Sequence, residues 1–454
     1  MKKERPAYKI KPESLEFIQE PKAFYEKLIS NIKEAKEIIS ITSLYIGVGE
    51  KKGKGILKAI KEQLKKEDTL HVHMLFDKSR AMRTKTDYIA EKIEKWRQTL
   101  TKKQQKRICI SYYSPEIQSI VWRTMAGERM KEVFGVQHIK FYRTDEKCII
   151  SGANLSDIYF DERTDRYIQI ENEQALITFY QTVVFMVTQL AGYEYKEQKM
   201  KAIEKLPTPF EKWMEEDFKH QMRNEKKEDE TLAEQLHAFW KAMAKKGDAI
   251  MREGETIAYP TLQMGYRGVN YEVDTIETLF KESKGPIYIA SGYFNMTNQV
   301  SALLKKYQKE VHVVTSHPEM NGFYGSKGFS GWIPTVYAAA ATDFMENHAS
   351  CKHHALYEYY KKKPVTFHAK GIWTPNSTFI GSSNLGYRSK CRDLEASLVL
   401  HTTNDTLQHS ITNERQQLFL PTKKIQATHY LNNPFVNVNR IIRWITRSFL
   451  RSIL

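Results

Sequence analysis

Two distant segments of this chain share one spacing of polar residues, and that spacing constrains the fold more than any other feature. The first reads Gln137-His138-Ile139-Lys140 and then Ser151-Gly152-Ala153-Asn154; the second reads Phe367-His368-Ala369-Lys370 and then Gly381-Ser382-Ser383-Asn384. In both, Lys follows His by two residues, Asn follows His by sixteen, and a carboxylate, Asp165 or Glu395, follows Asn by eleven. Residues two apart on a strand face the same side. Each His-Lys pair is therefore expected to reach one phosphate together. A turn and a second strand, CIISGAN or FIGSSN, returns each Asn to the same edge, and the small residues before it permit close backbone approach.

The flanking sequence repeats as well. FYEKLISNIKEAK leads into IISITSLYIGV, and DTIETLFKESKG leads into PIYIASGYFNM, each reading as helix, turn and buried strand. Ser43-Leu44-Tyr45 aligns with Ser291-Gly292-Tyr293. Second strands follow, HVHMLFD from His71 and VHVVTS from Val311, in which His73 and His312 match and are read as packed structural histidines. The expected fold is α/β: two tandem domains related by pseudo-two-fold symmetry, each a mixed sheet flanked by helices. Residues 1–195 form the first and 253–454 the second. The charged stretch 196–252, with its RNEKKEDE run, reads as a helical, partly mobile connector. Ala175 to Leu190 is the most apolar segment. Gln181, Thr182 and Gln189 interrupt it, and it is shorter than a span of about 20 residues, so it reads as a core helix.

Lys and Arg exceed Asp and Glu by 70 to 54 among 454 residues, a net charge of +16. Such a surface favours anionic partners without choosing among them. The four cysteines, Cys109, Cys148, Cys351 and Cys391, show no Cys-x-x-Cys spacing, so neither a zinc ribbon nor a disulfide framework is indicated. Cys351 beside His353 and His354 reads as a loop with chance neighbours, and no metal site is expected. The N-terminal MKKERPAYKIKPESLEF is polar and contains acids, unlike a presequence.

The duplicated residues suit phosphate-ester chemistry. Lys and Asn hold phosphoryl oxygens where charge builds. The carboxylates Asp165 and Glu395 orient the imidazoles and support their protonated forms. One imidazole attacks phosphorus and forms a phosphohistidine. The other acts as general acid on the leaving group, then as general base for the incoming hydroxyl. Lysines supply the positive charge, so no metal or cofactor is required.

These residues resemble the phospholipase D superfamily, whose mark His-x-Lys-x4-Asp is met by His138, Lys140 and Asp145. The second copy has Pro375 where Asp is expected, and Asp145 is therefore read as a member of the motif that supports its loop. The altered second motif, with SLYIG at Ser43, PTLQM at Pro260, NGFYGSKG at Asn321 and TFHAKGIW at Thr366, is similar to eukaryotic-type phosphatidylglycerophosphate synthases. That resemblance implies two phospholipase D-like domains. It implies transfer of a phosphatidyl group from CDP-diacylglycerol to sn-glycerol 3-phosphate with release of CMP, and work on the matrix side of the mitochondrial inner membrane. By analogy with relatives, His138 is the nucleophile. Asn154, Asn384, Ser382 and Lys327 are assigned to the substrate phosphates.

The C-terminal stretch 436–454 places Arg440, Arg443, Arg447 and Arg451 at helical steps, beside a row of Ile442, Ile445, Phe449 and Ile453. It is read as a basic amphipathic helix lying on an anionic lipid surface. Other readings stay open: a nuclease, a phosphatidylserine or cardiolipin synthase, a hydrolytic phospholipase, or a catalytically dead membrane scaffold. The lipid-like terminal helix and the altered motif argue against nucleic acid.

Overall fold

The computed structural model describes residues 5–82, 89–113, 135–196, 199–202, 208–216, 231–247, 251–361 and 365–452, apart from single positions 432, 437 and 449. Two large mixed sheets dominate it. The first runs, edge to edge, as β11 (Lys199–Ala202), β10 (Gly192–Lys196), β5 (Ile108–Tyr113), β4 (His71–Asp77), β3 (Ile38–Thr42), β6 (Phe141–Thr144), β7 (Lys147–Ser151), β9 (Tyr167–Glu171) and β2 (Leu15–Ile18). The second runs as β1 (Tyr8–Ile10), β12 (Thr256–Met264), β20 (Glu395–Thr402), β19 (Ser377–Gly381), β18 (Lys370–Thr374), β14 (Ile287–Ser291), β15 (Val311–Ser316), β16 (His354–Tyr359) and β21 (Thr422–Ile425). A short β13 (Val269–Asn270) adds to β12, and β8 (Arg163–Thr164) pairs with β17 (Thr366–Phe367).

The order β5-β4-β3-β6-β7-β9 in one sheet matches β16-β15-β14-β18-β19-β20 in the other, with the same parallel and antiparallel pairings. The central parallel strands are apolar on both faces because helices cover the outside and the other repeat covers the inside. On the outside of the first sheet lie helices Pro21–Glu34 and Lys51–Lys66. Between the sheets lies helix Gln174–Ala191, whose Phe179, Val183 and Phe185 join one core with Ile150 and Ile168 of the first sheet and Leu398 and Ile380 of the second. Its polar residues have partners. Gln181 Nε2 donates to Ser40 Oγ at 3.1 Å, Thr182 Oγ1 accepts from the Glu215 N–H at 2.9 Å, and Tyr180 O–H donates to the Ser397 carbonyl at 2.7 Å. The polar breaks in this apolar run are thus a buried helix reaching both sheets.

The two repeats are interleaved. β1 pairs with β12 of the second sheet, while β2, five residues later, pairs with β9 of the first. The stretch expected to be a helical connector begins instead as the β10–β11 hairpin on β5. Its helix Leu232–Lys246, started by a Thr231–Glu234 capping box, packs Phe239 and Trp240 against Phe179. That helix belongs to the shared core, because its Leu236, Phe239 and Trp240 are all buried there. The charged run 223–230 lies outside the described residues. His73 and His312 both bond within their own repeat, His73 to Thr188 at 3.0 Å and His312 to Tyr357 at 3.1 Å.

One buried ion pair fastens the repeats. Arg166, 1% exposed, donates from Nε and Nη2 to Glu414 at 2.7 Å each. It also donates to the Phe379 carbonyl at 2.7 Å and to Thr378 Oγ1 at 2.8 Å, and lies 4.0 Å over the Trp373 ring. Breaking such a pair strands a buried charge. Arg166→Met is expected to lower unfolding stability by about 3–5 kcal/mol, and the double change Arg166→Met with Glu414→Leu to recover much of it. Urea denaturation of the three proteins checks this; equal losses in the single and double variants would contradict it.

Candidate active site

The two histidine motifs meet where the repeats interleave. Just before His368, β17 pairs in parallel with β8, just before Asp165, and the His368 N–H donates to the Thr164 carbonyl at 2.9 Å. On the other side Gln137 bridges to Leu394, and the His138 N–H donates to the Leu394 carbonyl at 2.9 Å. Each histidine is thus hydrogen-bonded next to the carboxylate of the opposite repeat. His138 Nδ1 lies 2.9 Å from Glu395 Oε2, and His368 Nδ1 lies 2.5 Å from Asp165 Oδ2. The spacing predicts the orienting carboxylates; the structure shows that they are exchanged across the seam.

The lysines lie inside the same seam. Lys140 and Lys370 are each 1% exposed and donate to the carbonyls of His138 and His368 at 2.7 and 2.6 Å. Lys370 Nζ is also 3.7 Å from Asp165 Oδ2. Glycines make room. A methyl at Gly152 would meet Asp165 Oδ1 at 2.7 Å and Lys370 Nζ at 2.9 Å, and one at Gly292 would meet the Phe367 carbonyl at 2.6 Å. Gly152, before Asn154, therefore serves close approach between repeats, whereas Gly381, before Asn384, makes room for Ser397 of its own sheet.

Burial sets the protonation states. It pushes Lys140 down to about 7 against the pull of Glu395, with Lys370 adding repulsion. It pushes Lys370 down to about 8 against Asp165 and Glu395. Burial also lowers both histidines, His368 well below the ordinary value because Lys370 adds to it and Asp165 only partly offsets it. Burial alone would raise Asp165 and Glu395. The neighbouring cations outweigh it, Lys370 and His368 for Asp165, and His138 and Lys140 for Glu395, so both carboxyls sit below their usual range. At rest near neutral pH the seam holds neutral imidazoles and ionised carboxylates, with Lys140 near its midpoint and Lys370 largely cationic.

The remaining predicted residues divide. Asn154 is buried and donates to Tyr159 O–H at 3.0 Å; that phenol is 3.4 Å from His368 Nε2. Asn154 thus serves the opposite repeat's histidine. Asn384 is fixed through its backbone, its N–H to Ser389 Oγ at 3.0 Å and its carbonyl from Ser291 Oγ at 2.8 Å. Asn154 Oδ1 and Asn384 Oδ1 are buried and accept no hydrogen bond among the described residues. Ser382 departs from its assignment to substrate, because its hydroxyl is committed to Glu395. Asp145, counted with the catalytic motif, is a correction. It sits at φ 48° in the β6–β7 turn, and its two oxygens accept from the N–H groups of Lys36, Glu37 and Ile38 at 2.7, 2.9 and 2.9 Å. It ties that turn to the start of β3 and takes no part in the seam. Lys327 is exposed at the start of a single 3-10 turn, with no hydrogen bond or ion pair to any seam residue among those described.

Spacing alone missed several residues. Tyr293, on the segment matched to Tyr45, lies 5.2 Å edge-on to His368 and stacks on Tyr337 at 5.5 Å. Arg163, 8% exposed and two residues before Asp165, lies 4.4 Å over the Tyr159 ring and donates to Thr366 Oγ1 at 3.1 Å. Its counterpart two before Glu395 is Asp393, held by Arg388 at 3.0 Å and the Val136 N–H at 2.9 Å. Aligning the repeats past the Asn would have exposed this Arg-for-Asp exchange. His138, Asp393 and Glu395 bring ligand-type atoms within 4.8 Å. Those atoms are already engaged by Arg388, Ser382 and one another, which suits proton handling better than metal binding.

The C-terminal helix also departs from expectation. In helix Arg440–Ser448, Arg443 and Arg447 turn inward onto helix Ile333–Asn347, to Asp343 at 2.8 and 2.7 Å, and to Glu346. Arg451 donates to the Met296 carbonyl at 2.8 Å. Ile441 and Trp444, each 68% exposed, face outward. Acids absent from the helix itself decide which face docks. Phe449 and Ile453 lie outside the described residues.

Because both histidines are held neutral, the unfolded chain binds more protons below about pH 6.5. Their contribution to stability is complete above that pH and falls as pH drops; Asp165 and Glu395 add a second loss below about pH 4. The unfolding midpoint is expected to fall between pH 7 and 5.5, and to fall less in His138→Gln with His368→Gln. Denaturant titration across pH checks it; parallel curves would contradict it.

No family model matches the chain. It is 29% identical over 92% of its length to a Dictyostelium discoideum protein named probable CDP-diacylglycerol–glycerol-3-phosphate 3-phosphatidyltransferase, covering 74% of that protein. A Gallus gallus protein of the same name, designated mitochondrial, is 29% identical over 97% of this chain and 84% of its own. In Schizosaccharomyces pombe the corresponding relative is 27% identical over 93% of this chain and 92% of its own. The crystal structure of a Haemophilus influenzae phosphatidylserine synthase superposes with TM-score 0.74 at 20% identity, covering 99% of this chain and 97% of that one. The chain is thus similar over nearly its whole length to proteins named CDP-diacylglycerol–glycerol-3-phosphate 3-phosphatidyltransferase, and it shares the fold of a phosphatidylserine synthase.

Proposed function

We propose that this chain transfers the phosphatidyl group of CDP-diacylglycerol to sn-glycerol 3-phosphate, releasing CMP, through a phosphohistidine. The observation that carries this reading is the pair of imidazole–carboxylate contacts exchanged across one lysine-lined seam. The names of relatives aligned over nearly the whole chain support the substrates.

His138 is the nucleophile. Its Nδ1 is tied to Glu395, which leaves the Nε2 lone pair for attack, and Nε2 has no hydrogen bond among the described residues. A P–N bond forms to the phosphatidyl phosphorus, and the P–O bond to CMP breaks with its electron pair leaving on CMP. Lys140 and Lys370 face the charge that spreads over the phosphoryl oxygens. An arriving phosphate anion offsets the desolvation that lowers them, so both are cationic when substrate is bound. His368, neutral at rest, takes the proton of the primary hydroxyl of glycerol 3-phosphate while that oxygen attacks phosphorus and displaces His138. Asp165 supports the resulting imidazolium, which returns its proton to solvent once the product has left. Exchanging the two ends of the Asn154 amide keeps its bond to Tyr159 and turns an NH2 donor toward phosphate. Arg163 holds the second phosphate, that of glycerol 3-phosphate.

The lipid substrate places this reaction at a membrane surface. No helix among the described residues is long and apolar enough to cross a membrane. The outward Ile441 and Trp444, together with Trp332 (58% exposed) at the start of helix Ile333–Asn347, form the contact we assign to lipid. Arg443 and Arg447 of helix Arg440–Ser448 serve as its anchor to the protein. The mitochondrial designation of animal relatives supports a mitochondrial membrane, and the resemblance supports the matrix side of its inner membrane.

Purified protein is expected to release CMP from CDP-diacylglycerol only when glycerol 3-phosphate is present. His138→Ala and His368→Ala each lose at least about a thousandfold of that rate. Labelled lipid trapped on His368→Ala but not on His138→Ala confirms the nucleophile, and Arg163→Gln raises KM for glycerol 3-phosphate. Cleavage of single-stranded DNA without CMP release would overturn the lipid assignment.

Ile441→Asp with Trp444→Asp is expected to abolish sedimentation with anionic liposomes while sparing turnover of detergent-dispersed substrate. Undiminished sedimentation would refute the outward face as the lipid contact.

A further inference from the structure

The second repeat gathers three metal-ligand side chains at the corner farthest along its strands from the seam. Helix Ile333–Asn347 ends at His348, and two tight turns lead into β16: the Cys351 N–H donates to the His348 carbonyl at 2.8 Å, and the His354 N–H to the Cys351 carbonyl at 2.9 Å. These turns bring His348, Cys351 and His354 together, with their ligand-type atoms all within 4.8 Å of one another. His353, the neighbour that the sequence suggests for Cys351, is exposed, and its carbonyl is taken by the Val311 N–H at 2.9 Å.

The pocket has more order than a chance cluster. His348 is 3% exposed, stacks on Phe344 at 4.2 Å, and has Nε2 2.7 Å from Ser301 Oγ. A proton on Nε2 shared with Ser301 leaves the Nδ1 lone pair pointing at the other two groups, the usual role of a partner behind a metal-bound imidazole. His354 Nδ1 lies 2.6 Å from that Nδ1. A proton on either Nδ1 makes this contact a hydrogen bond, and with that proton displaced the two lone pairs converge on one cation. A tetrahedral ion with bonds of about 2.0–2.1 Å to nitrogen and about 2.3 Å to sulfur spaces two nitrogens by about 3.3 Å, so the rings need part by less than about 1 Å.

We infer that His348, Cys351 and His354 bind one zinc-class divalent ion, with solvent in the fourth position. One thiolate with two imidazoles is a borderline-soft donor set that suits zinc. Cys351 and His354 are only half-buried, which leaves an entry path. The six residues of β16 separate this corner from the seam by about 20 Å. The ion therefore braces the fold rather than meeting substrate. It pins the end of the helix that carries Tyr337 against Tyr293 and Asp343 against Arg443.

The test uses the full chain, stripped with chelator and reloaded with Zn2+ or Co2+ alone. One equivalent of zinc is expected per chain, and Co2+ is expected to give a thiolate-to-metal charge-transfer band. Cys351→Ser removes the band, Cys391→Ser keeps it, and Ser301→Ala weakens Co2+ binding on the order of ten- to hundredfold. CMP release by each variant certifies its fold. Absence of a tight equivalent in wild type, or a band that survives Cys351→Ser, overturns the site.

Discussion

Each seam imidazole leans on a carboxylate that belongs to the other half of the molecule. That exchange is the constraint from which the rest of the architecture follows. His138 needs Glu395, and His368 needs Asp165, so neither repeat holds a complete acid–base pair alone. Burying four such groups with two lysines is costly unless every charge meets its opposite. The fold meets this need through backbone. Parallel pairing of β17 with β8, and of Gln137 with Leu394, sets each histidine beside its carboxylate before any side chain is chosen. The long apolar helix between the sheets, the crossing of β1 and β2, and the Arg166–Glu414 pair all hold that register.

Much of this was legible in the chain. The His-Lys-Asn-carboxylate spacing identified the seam residues and the two-fold repeat, because a two-residue period on a strand and a hairpin return are local rules. Spacing could not tell exchange from pairing within one repeat, since Asp165 and Glu395 follow their motifs by equal intervals and both arrangements fit. Asp145 completes a motif but is read as the member that supports its loop. Its positive φ and its three backbone amides reveal a turn fastener, and the Pro375 at the matching position had already hinted that the reaction does not use it. The terminal arginines failed for a different reason. Helical periodicity shows that a basic face exists, but Asp343 and Glu346, which capture it, lie on a helix far away in sequence. The histidine–cysteine corner was passed over because His348 lies at the end of the preceding helix, and only the two turns fold it back onto Cys351.

Charge in this protein acts at two scales. The net +16 gathers anions but identifies none of them. The selective charge is internal: two lysines lowered to about 7 and 8 by desolvation, facing carboxylates already engaged by histidines. In the proposed reaction an incoming phosphodiester offsets the desolvation of these lysines and restores them to full cationic character. Ground-state desolvation of the lysines is thus linked to recognition of the substrate's phosphate.

The repeats are equal in backbone and unequal in chemistry, and one matched position contributes to the difference. Two residues before its carboxylate, one repeat carries Arg163 and the other Asp393. Asp393 lies near His138 and favours its protonated form, whereas Arg163 lies near His368 and, with Lys370, opposes protonation there. Tyr159 and Tyr293 close around His368, while His138 Nε2 has no hydrogen bond among the described residues. In the proposed reaction, a ring walled by phenols and held neutral by burial, with Lys370 and Arg163 adding to it, suits the second half of a two-step transfer, where a base must wait for the hydroxyl. The less enclosed ring suits the first, where a nucleophile must reach phosphorus. Duplication supplied two copies of one site, and the exchange of Arg163 for Asp393 adds to what distinguishes the two histidines.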